Sequence, residues 1–316
     1  VEITVKSQGT SGKKTKKPPK KIRVKNELKN KLGREFVYTV EVDPPKTTNN
    51  KRVIKYVKSL KEAGVTGINV SDIPMGKLRQ SSSALSFLAK REIGIDVILH
   101  FTCRDKNLIG IQSELLSMNS LGIGNILALT GDPPSVGDYP FATAVYEVDS
   151  TGLIEIISNL NNGKDYLGNR IRSSTDFFIG TAAGPSVISD ERYFEHLKNK
   201  VDRGANFIQT QPIYDMEIAK QMGEKISKLG VPVILGIMPL VSYRHAEFLN
   251  NEVAGTTIPD NIIESFEDKD RSESEKISLD FSIRMIEKFK EFSQGVCVMT
   301  PFNRYRLTTE IVKNSK

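Results

Sequence analysis

Asp96-Val97-Ile98-Leu99-His100-Phe101-Thr102-Cys103, followed after one helical stretch by Asn125-Ile126-Leu127-Ala128-Leu129-Thr130-Gly131-Asp132-Pro133-Pro134, decides the fold. Each segment opens as an uninterrupted apolar run, the pattern of a strand covered on both faces, and then turns abruptly polar. Residues 107–121 between them carry apolar side chains at helical spacing. Strand, helix and strand in that order predict a parallel pair joined by a crossover helix. The same rhythm extends in both directions. Strands are predicted at 36–40, 65–70, 96–99, 125–129, 177–179, 206–209, 231–235 and 296–298. Helices are predicted at 49–63, 80–92, 107–121, 150–161, 190–203, 215–228, within 242–292 with breaks, and at 304–313. Eight β-then-α units over about 280 residues predict a (β/α)₈ TIM barrel rather than an open doubly wound sheet. Gly122-Ile123-Gly124 precedes a strand, so it is a turn and not a dinucleotide fingerprint.

The charge distribution separates an arm from this barrel. The formal charge is +7. Residues 1–31 hold ten lysines and Arg23 against Glu2 and Glu27, a net +9, which leaves −2 for the remainder. Lys13-Lys14-Thr15-Lys16-Lys17-Pro18-Pro19-Lys20-Lys21 has almost no apolar content and predicts a disordered linker or arm over 1–34, with the folded domain at 35–316. No aromatic residue is interleaved to stack on bases, which argues against a nucleic-acid arm. The chain contains no apolar run long enough to span a membrane. Two cysteines form no disulfide framework, so a reducing, cytoplasmic location is expected.

Chemistry in such a barrel sits on the loops at the C-terminal ends of the strands. Those positions carry Glu41 and Asp43; Ser71 and Asp72; His100, Thr102 and Cys103; Thr130-Gly131-Asp132; Ala182-Ala183-Gly184-Pro185; Gln209-Thr210-Gln211; Gly236 with Tyr243 beyond; and Asn303-Arg304. Singly, each has a plain structural explanation as a solvated carboxylate, a turn former or a satisfied histidine. Together on one rim they predict a binding or catalytic site. The three histidines are scattered without metal-ligand spacing, and no phosphate loop or nucleophile elbow occurs. Acid–base chemistry assisted by an organic cofactor is the enzymology left.

These strand-end motifs resemble the methylenetetrahydrofolate reductase family, flavoproteins on a (β/α)₈ barrel. The resemblance runs from about Phe36 to Thr309. It rests on Val40-Glu41-Val42-Asp43-Pro44-Pro45, His100-Phe101-Thr102-Cys103, Ala128-Leu129-Thr130-Gly131-Asp132-Pro133-Pro134 and Lys200-Val201-Asp202-Arg203-Gly204-Ala205-Asn206. It continues through Phe207-Ile208-Gln209-Thr210-Gln211-Pro212, Gly236-Ile237-Met238-Pro239 and Asn303-Arg304. The strand 4 and Gln-Thr-Gln-Pro segments look most like the variant fused behind a homocysteine S-methyltransferase domain, which would make the lysine-rich segment a tether.

The resemblance implies that NADH or NADPH reduces a bound FAD and leaves, and that methylenetetrahydrofolate then accepts hydride from flavin N5 to give 5-methyltetrahydrofolate for methionine synthesis. It implies Glu41 as the general acid and Asp132 as the carboxylate near flavin and pterin. Ser71, His100, Thr130, Gly131, Ala183 and Lys200 fall at flavin-contacting positions, and Gln211, Tyr243, His245 and Arg304 at substrate-contacting ones. The family's frequent arginine before Gly-Asp is Thr130 here, a second arginine is Asn199, and a flavin-contacting aspartate is Tyr193. The strand 5 loop lacks the tyrosine and histidine of some members, and a substrate-contacting glutamine is His245. These departures leave FMN as an alternative cofactor. Family members commonly self-associate, so a homo-oligomer is expected. Two other functions compete with the reductase: a folate- or flavin-binding barrel that serves a methyltransferase or electron-donor partner without its own NAD(P)H turnover, and nucleic-acid binding through the lysine arm.

Overall fold

The structure, a computed structural model, describes residues 20–21, 24–253 and 255–316. Eight parallel strands close into a barrel. They are β1 (Val37–Val42), β2 (Gly67–Val70), β3 (Asp96–Thr102), β4 (Asn125–Leu129), β5 (Phe178–Ala183), β6 (Phe207–Pro212), β7 (Val233–Ile237) and β8 (Gly295–Val298). Each pairs with its predecessor in sequence, and β8 closes on β1 with Gly295 opposite Val37 and Val298 opposite Val40. The outer layer includes the helices Lys51–Glu62, Ser82–Ile93, Leu108–Ser120, Ser150–Asn161, Glu191–Asp202, Met216–Ser227, Arg271–Phe289 and Tyr305–Asn314. The helical stretch between β7 and β8 is split, with Tyr243–Glu252 and Asp260–Glu264 preceding the long helix.

Several helices begin at capping side chains that satisfy their first free N–H groups. Asn107, Asp149, Asp190, Asp215 and Ser242 all accept in this way. Asp270 and Glu273 form a reciprocal capping box.

Two apolar clusters hold the fold. The larger lies between strands and helices. The smaller fills the N-terminal end of the barrel interior with Val37, Ile98, Leu127, Phe207, Ile234 and Cys297, and with Leu28 and Leu32 from outside the barrel strands. Phe207 occupies space that β5 leaves free at Gly180, where a Cβ would lie 2.3 Å from its ring. Leu28 belongs to a short helix, Glu27–Lys31, that closes this floor. Asp96 Oδ2 accepts from the Glu27 and Leu28 N–H groups at 2.5 and 2.9 Å, while its Oδ1 pairs with Lys90 Nζ at 2.6 Å. Asn26 Nδ2 donates to Asn125 Oδ1 at 2.6 Å.

The arm boundary expected at residue 34 is therefore displaced. Residues 24–34 belong to the folded unit, because Leu28 and Leu32 bury against the barrel floor. Lys20–Lys21 pairs in parallel with Ser173–Ser174. The rest of the expected arm, 1–19 and 22–23, lies outside the described residues.

Candidate active site

The floor cluster fixes which side chains point inward. Side chains alternate along a strand, so Val37 inward places Thr39 and Glu41 inward. Ile98 likewise brings His100 and Thr102 inside, and Phe207 brings Gln209, beyond which a bulge between Gln209 and Pro212 breaks the alternation. Five strands are longer at their C-terminal ends than their apolar runs alone predict, three of them by three residues or more. β3 continues through Thr102, β5 through Ala183 and β6 through Pro212. His100 is consequently a buried interior residue, not part of a loop.

A polar layer lies above the apolar floor. His100 Nε2 is 3.1 Å from Asn69 Oδ1, and Asn69 Nδ2 donates to Cys297 Sγ at 3.3 Å. Thr39 Oγ1 donates to the Val296 carbonyl at 3.2 Å. Burial lowers the His100 pKa to about 4, so its imidazole is neutral at physiological pH. Gln209 Oε1 is buried with no hydrogen-bond partner.

Glu41 stands above this layer, on β1 beside Asn69 of β2. Among the described residues, no hydrogen bond or ion pair compensates its carboxyl group. Burial, and secondarily the charge of Asp43, raise its pKa to about 8. Asp43 itself accepts from Ser71 Oγ at 2.6 Å. Thr300 Oγ1 holds the Glu41 carbonyl at 2.9 Å and lies 2.9 Å from the Tyr56 hydroxyl.

The loops after β2 and β4 meet at one side of the mouth. Asp132 is exposed and its Oδ2 accepts from Met75 N–H at 2.8 Å. Buried Arg104 donates to the Asp132 carbonyl at 3.2 Å and to the Ile73 carbonyl at 3.4 Å. Gly131 has φ +97°, and a Cβ there would lie 2.9 Å from that of Thr102. Asp72 Oδ2 accepts from both the N–H and hydroxyl of Thr102 at 3.1 and 2.9 Å. Ile73, Met75, Tyr146, Phe302 and Asn303 all have left-handed φ angles between 42° and 56°. All five lie in loops after β2, β4 and β8, so backbone strain concentrates at the mouth.

The expected site residues divide into groups. Glu41, Ser71, Gly131, Asp132 and Gln211 surround the mouth, with His100 buried in the polar layer beneath. Gln211 is exposed and lies against Gly184, where a Cβ would be 2.6 Å from its Oε1. His245, Phe302 and Arg304 gather beyond β7 and β8. The His245 and Phe302 rings meet edge-on at 5.0 Å, and burial followed by the Arg304 charge lowers the His245 pKa to about 4. His245 Nδ1 accepts from Val241 N–H at 3.3 Å, while Arg304 pairs with Glu275. Tyr243 opens the helix that carries His245.

Two expected contacts point elsewhere. Thr130 faces the helical layer and its Oγ1 accepts from Ser150 N–H at 3.1 Å. Ala183 packs in the outer core, because the interior positions of β5 are Gly180 and Ala182. Lys200 lies on the helix Glu191–Asp202, which packs against Ser150–Asn161. It is buried with no hydrogen bond or ion pair among the described residues. Burial lowers its pKa, opposed by the charge of Asp149.

Sequence reasoning missed Asn69, Arg104 and the interior role of Gln209. A usable signal existed for Asn69 and Gln209: each is a polar residue at an inward position of an otherwise apolar run.

The site fits an organic cofactor on two counts. The interior offers Gln209 Oε1, without a partner among the described residues, opposite the small Ala182 of β5. Beside the Asp149 carboxylate, Lys200 offers a buried ammonium that makes no hydrogen bond or ion pair among the described residues. A planar ring with hydrogen-bonding edges suits the first, and a phosphate suits the second.

A parallel eight-stranded barrel with a strained, polar mouth defines the class: a (β/α)₈ protein with its chemistry at the strand C-termini. Residues 24–316 match the methylenetetrahydrofolate reductase family, and the chain belongs to that family. It is 26% identical over 217 residues to methylenetetrahydrofolate reductase (NADH) 1 of Arabidopsis thaliana, covering 66% of this chain and 36% of that protein. A probable methylenetetrahydrofolate reductase (NADPH) of Caenorhabditis elegans is 26% identical over 240 residues, covering 73% and 34%. The chain thus spans about a third of the length of these curated relatives. The barrel also resembles the solved structure of a Clostridium thermocellum protein that binds two copies of 5-methyl-5,6,7,8-tetrahydrofolic acid. The TM-score is 0.57 and the identity 15%, covering 91% of this chain and 96% of that one, a likeness of fold.

Proposed function

We propose that this chain reduces 5,10-methylenetetrahydrofolate to 5-methyltetrahydrofolate, using NADH or NADPH and a bound flavin. The observation that carries the reading is Glu41, a carboxyl group with a pKa raised to about 8 at the mouth of a barrel of this family. At pH 7 it is mostly protonated and can donate a proton. Reduction of a bridging methylene between two nitrogens needs such a donor, because protonating one nitrogen opens the bridge to an electrophilic iminium.

A flavin, FAD or FMN, would supply the hydride-transfer chemistry. His100 and Ser71 would line its ring, the backbone at Gly131 would approach its edge, and Lys200 would meet a phosphate. Asp132 would place a carboxylate against the cationic form of the substrate. Gln211 has both a donor and an acceptor for a pterin edge, and Arg304 would contact the rest of the substrate. Tyr243 and His245 would flank it on the β7 side. The lysine-rich segment 13–21 suits a tether to a homocysteine S-methyltransferase domain that consumes the product.

The test is Glu41→Gln. Flavin reduction by NAD(P)H should persist while folate reduction falls by about 10²–10⁴-fold, the range of a lost general acid. Unchanged folate turnover would remove Glu41 from the chemistry. A second reading, a folate- or flavin-binding barrel without its own NAD(P)H turnover, is favoured by one feature. Thr130 points away from the mouth and Tyr193 is exposed, leaving Lys200 as the matched cation for a phosphate. Flavin bound by the purified chain but not bleached by NADH or NADPH would select that reading.

A further inference from the structure

One edge of the mouth carries more positive charge than its neighbours neutralise. Tyr305, at the start of the last helix, stacks on Tyr56 with centroids 3.9 Å apart. The Arg52 guanidinium lies 5.4 Å from the Tyr305 ring centroid and makes no ion pair among the described residues. Arg79, on the loop after β2, acts electrostatically on the same phenol. Its Nε is buried and has no hydrogen-bond partner.

An adjoining groove of about 550 Å³ is lined by Arg52, Arg271, Arg304 and Arg306, with Glu275 as its only carboxylate. Glu275 is shared between Arg271 Nε, at 3.3 Å, and Arg304. Arg306 pairs with Glu310 at 2.9 Å. Arg52 and Arg79 make no ion pair among the described residues, and the Asp43 carboxylate, which acts on the same phenol, already accepts from Ser71.

A guanidinium with a buried, unpaired N–H is costly unless something accepts from it. Arginine is also the side chain whose planar fork matches carboxylate and phosphate geometry. We propose that Arg52 and Arg79, together with the groove at Arg304, form an oxyanion subsite. It takes the charged appendage of a ligand whose ring sits in the mouth. This rests on the functional reading above, which places a folate and a nicotinamide dinucleotide at that mouth. Carboxylates of a folate bearing several glutamyl residues, or phosphates of the dinucleotide, share the required chemistry.

Two measurements test it on the full chain. In the first, the arginine Nε–H NMR signals are followed while free tri-γ-glutamate, or separately inorganic pyrophosphate, is added. The Arg52 and Arg79 signals should shift with one of these anions, while that of Arg192, already paired with Asp190, should stay still. In the second, dissociation constants of monoglutamyl and polyglutamyl 5-methyltetrahydrofolate are compared in the wild type and in an Arg52→Gln/Arg79→Gln double variant, with Arg192→Gln as the control. For a glutamyl tail, the polyglutamyl form should bind the wild type about tenfold tighter than the monoglutamyl form, and the double variant should keep no more than about twofold of that gain. If phosphate is the source, pyrophosphate moves the signals and NADH or NADPH loses about tenfold in affinity in the double variant. Signals that respond to neither anion, with folate and dinucleotide affinities preserved in the double variant, would overturn the subsite. Monoglutamyl folate that fails to bind while the arginine signals still respond would instead overturn the functional reading.

Discussion

At the scale of single residues, two desolvated groups carry opposite imbalances. Glu41 is a carboxyl group without a compensating cation among the described residues, and its pKa is raised above that of an unfolded glutamate. Between those two values the unfolded chain loses a proton that the folded chain keeps. The contribution to stability is therefore fully present below the unfolded pKa and is lost as pH rises through about 8. Glu41→Gln should behave like the wild type in urea unfolding at pH 5 and be more stable at pH 9, by about 2 kcal/mol. If Glu41 is the acid, folate turnover in the wild type should decline through the same alkaline window, while flavin reduction by NAD(P)H does not. Lys200 is the converse, a buried ammonium without an ion pair among the described residues. Lys200→Met should raise the thermal stability of the flavin-free protein by about 1 kcal/mol, because an apolar side chain avoids the desolvation cost. The same variant should bind flavin more weakly, measured by fluorescence quenching, and unaltered flavin affinity would remove Lys200 from the cofactor site. Glu41 is visible in the sequence as a carboxylate ending an apolar run. Its missing partner is not, because that depends on what faces it across the barrel.

At the scale of elements, alternation of apolar runs and helices locates all eight strands, since burial on both faces leaves a continuous apolar signature. Strand ends were harder to place. β3, β5 and β6 run on through polar and small residues, because neighbouring strands supply hydrogen-bond partners that local pattern cannot reveal. The helix Glu27–Lys31 was hidden for a different reason. Leu28 and Leu32, with Ile22 and Val24, are the few apolar residues in a lysine-rich stretch, and composition averaged over the window reads as an arm. Its anchor is Asp96, which accepts two backbone N–H groups and pairs with Lys90. Asp96→Ala leaves those donors unsatisfied at the barrel floor and should cost about 2–3 kcal/mol of stability in denaturant titrations. Hydrogen exchange should rise most in residues 24–34 if the anchor holds that helix, and a change spread evenly over the barrel would argue against it.

At the scale of the whole molecule, the basic excess and the folded unit do not divide at residue 34. The first twenty-three residues hold seven lysines and Arg23 against Glu2, so a chain beginning at residue 24 is formally neutral. Among the described residues, this segment contributes the two-residue pairing of Lys20–Lys21 with Ser173–Ser174. Removing residues 1–23 should therefore change the melting temperature by no more than about 2 °C, while removing residues 1–34 takes away Leu28 and Leu32 and uncovers Val37, Ile98, Leu127 and Phe207. Leu28→Ala in the full chain isolates the apolar part of that loss. Leu28 is fully buried, so the substitution should cost about 2–5 kcal/mol. The interior floor supports the polar layer of Asn69, His100 and Cys297, which lies directly beneath Glu41. A loosened floor should consequently reach the mouth, and Leu28→Ala should reduce folate turnover at temperatures well below its own unfolding transition. Equal melting temperatures for the two truncations, or a Leu28→Ala variant as stable as the wild type, would mean that the helix rests on the barrel without supporting it.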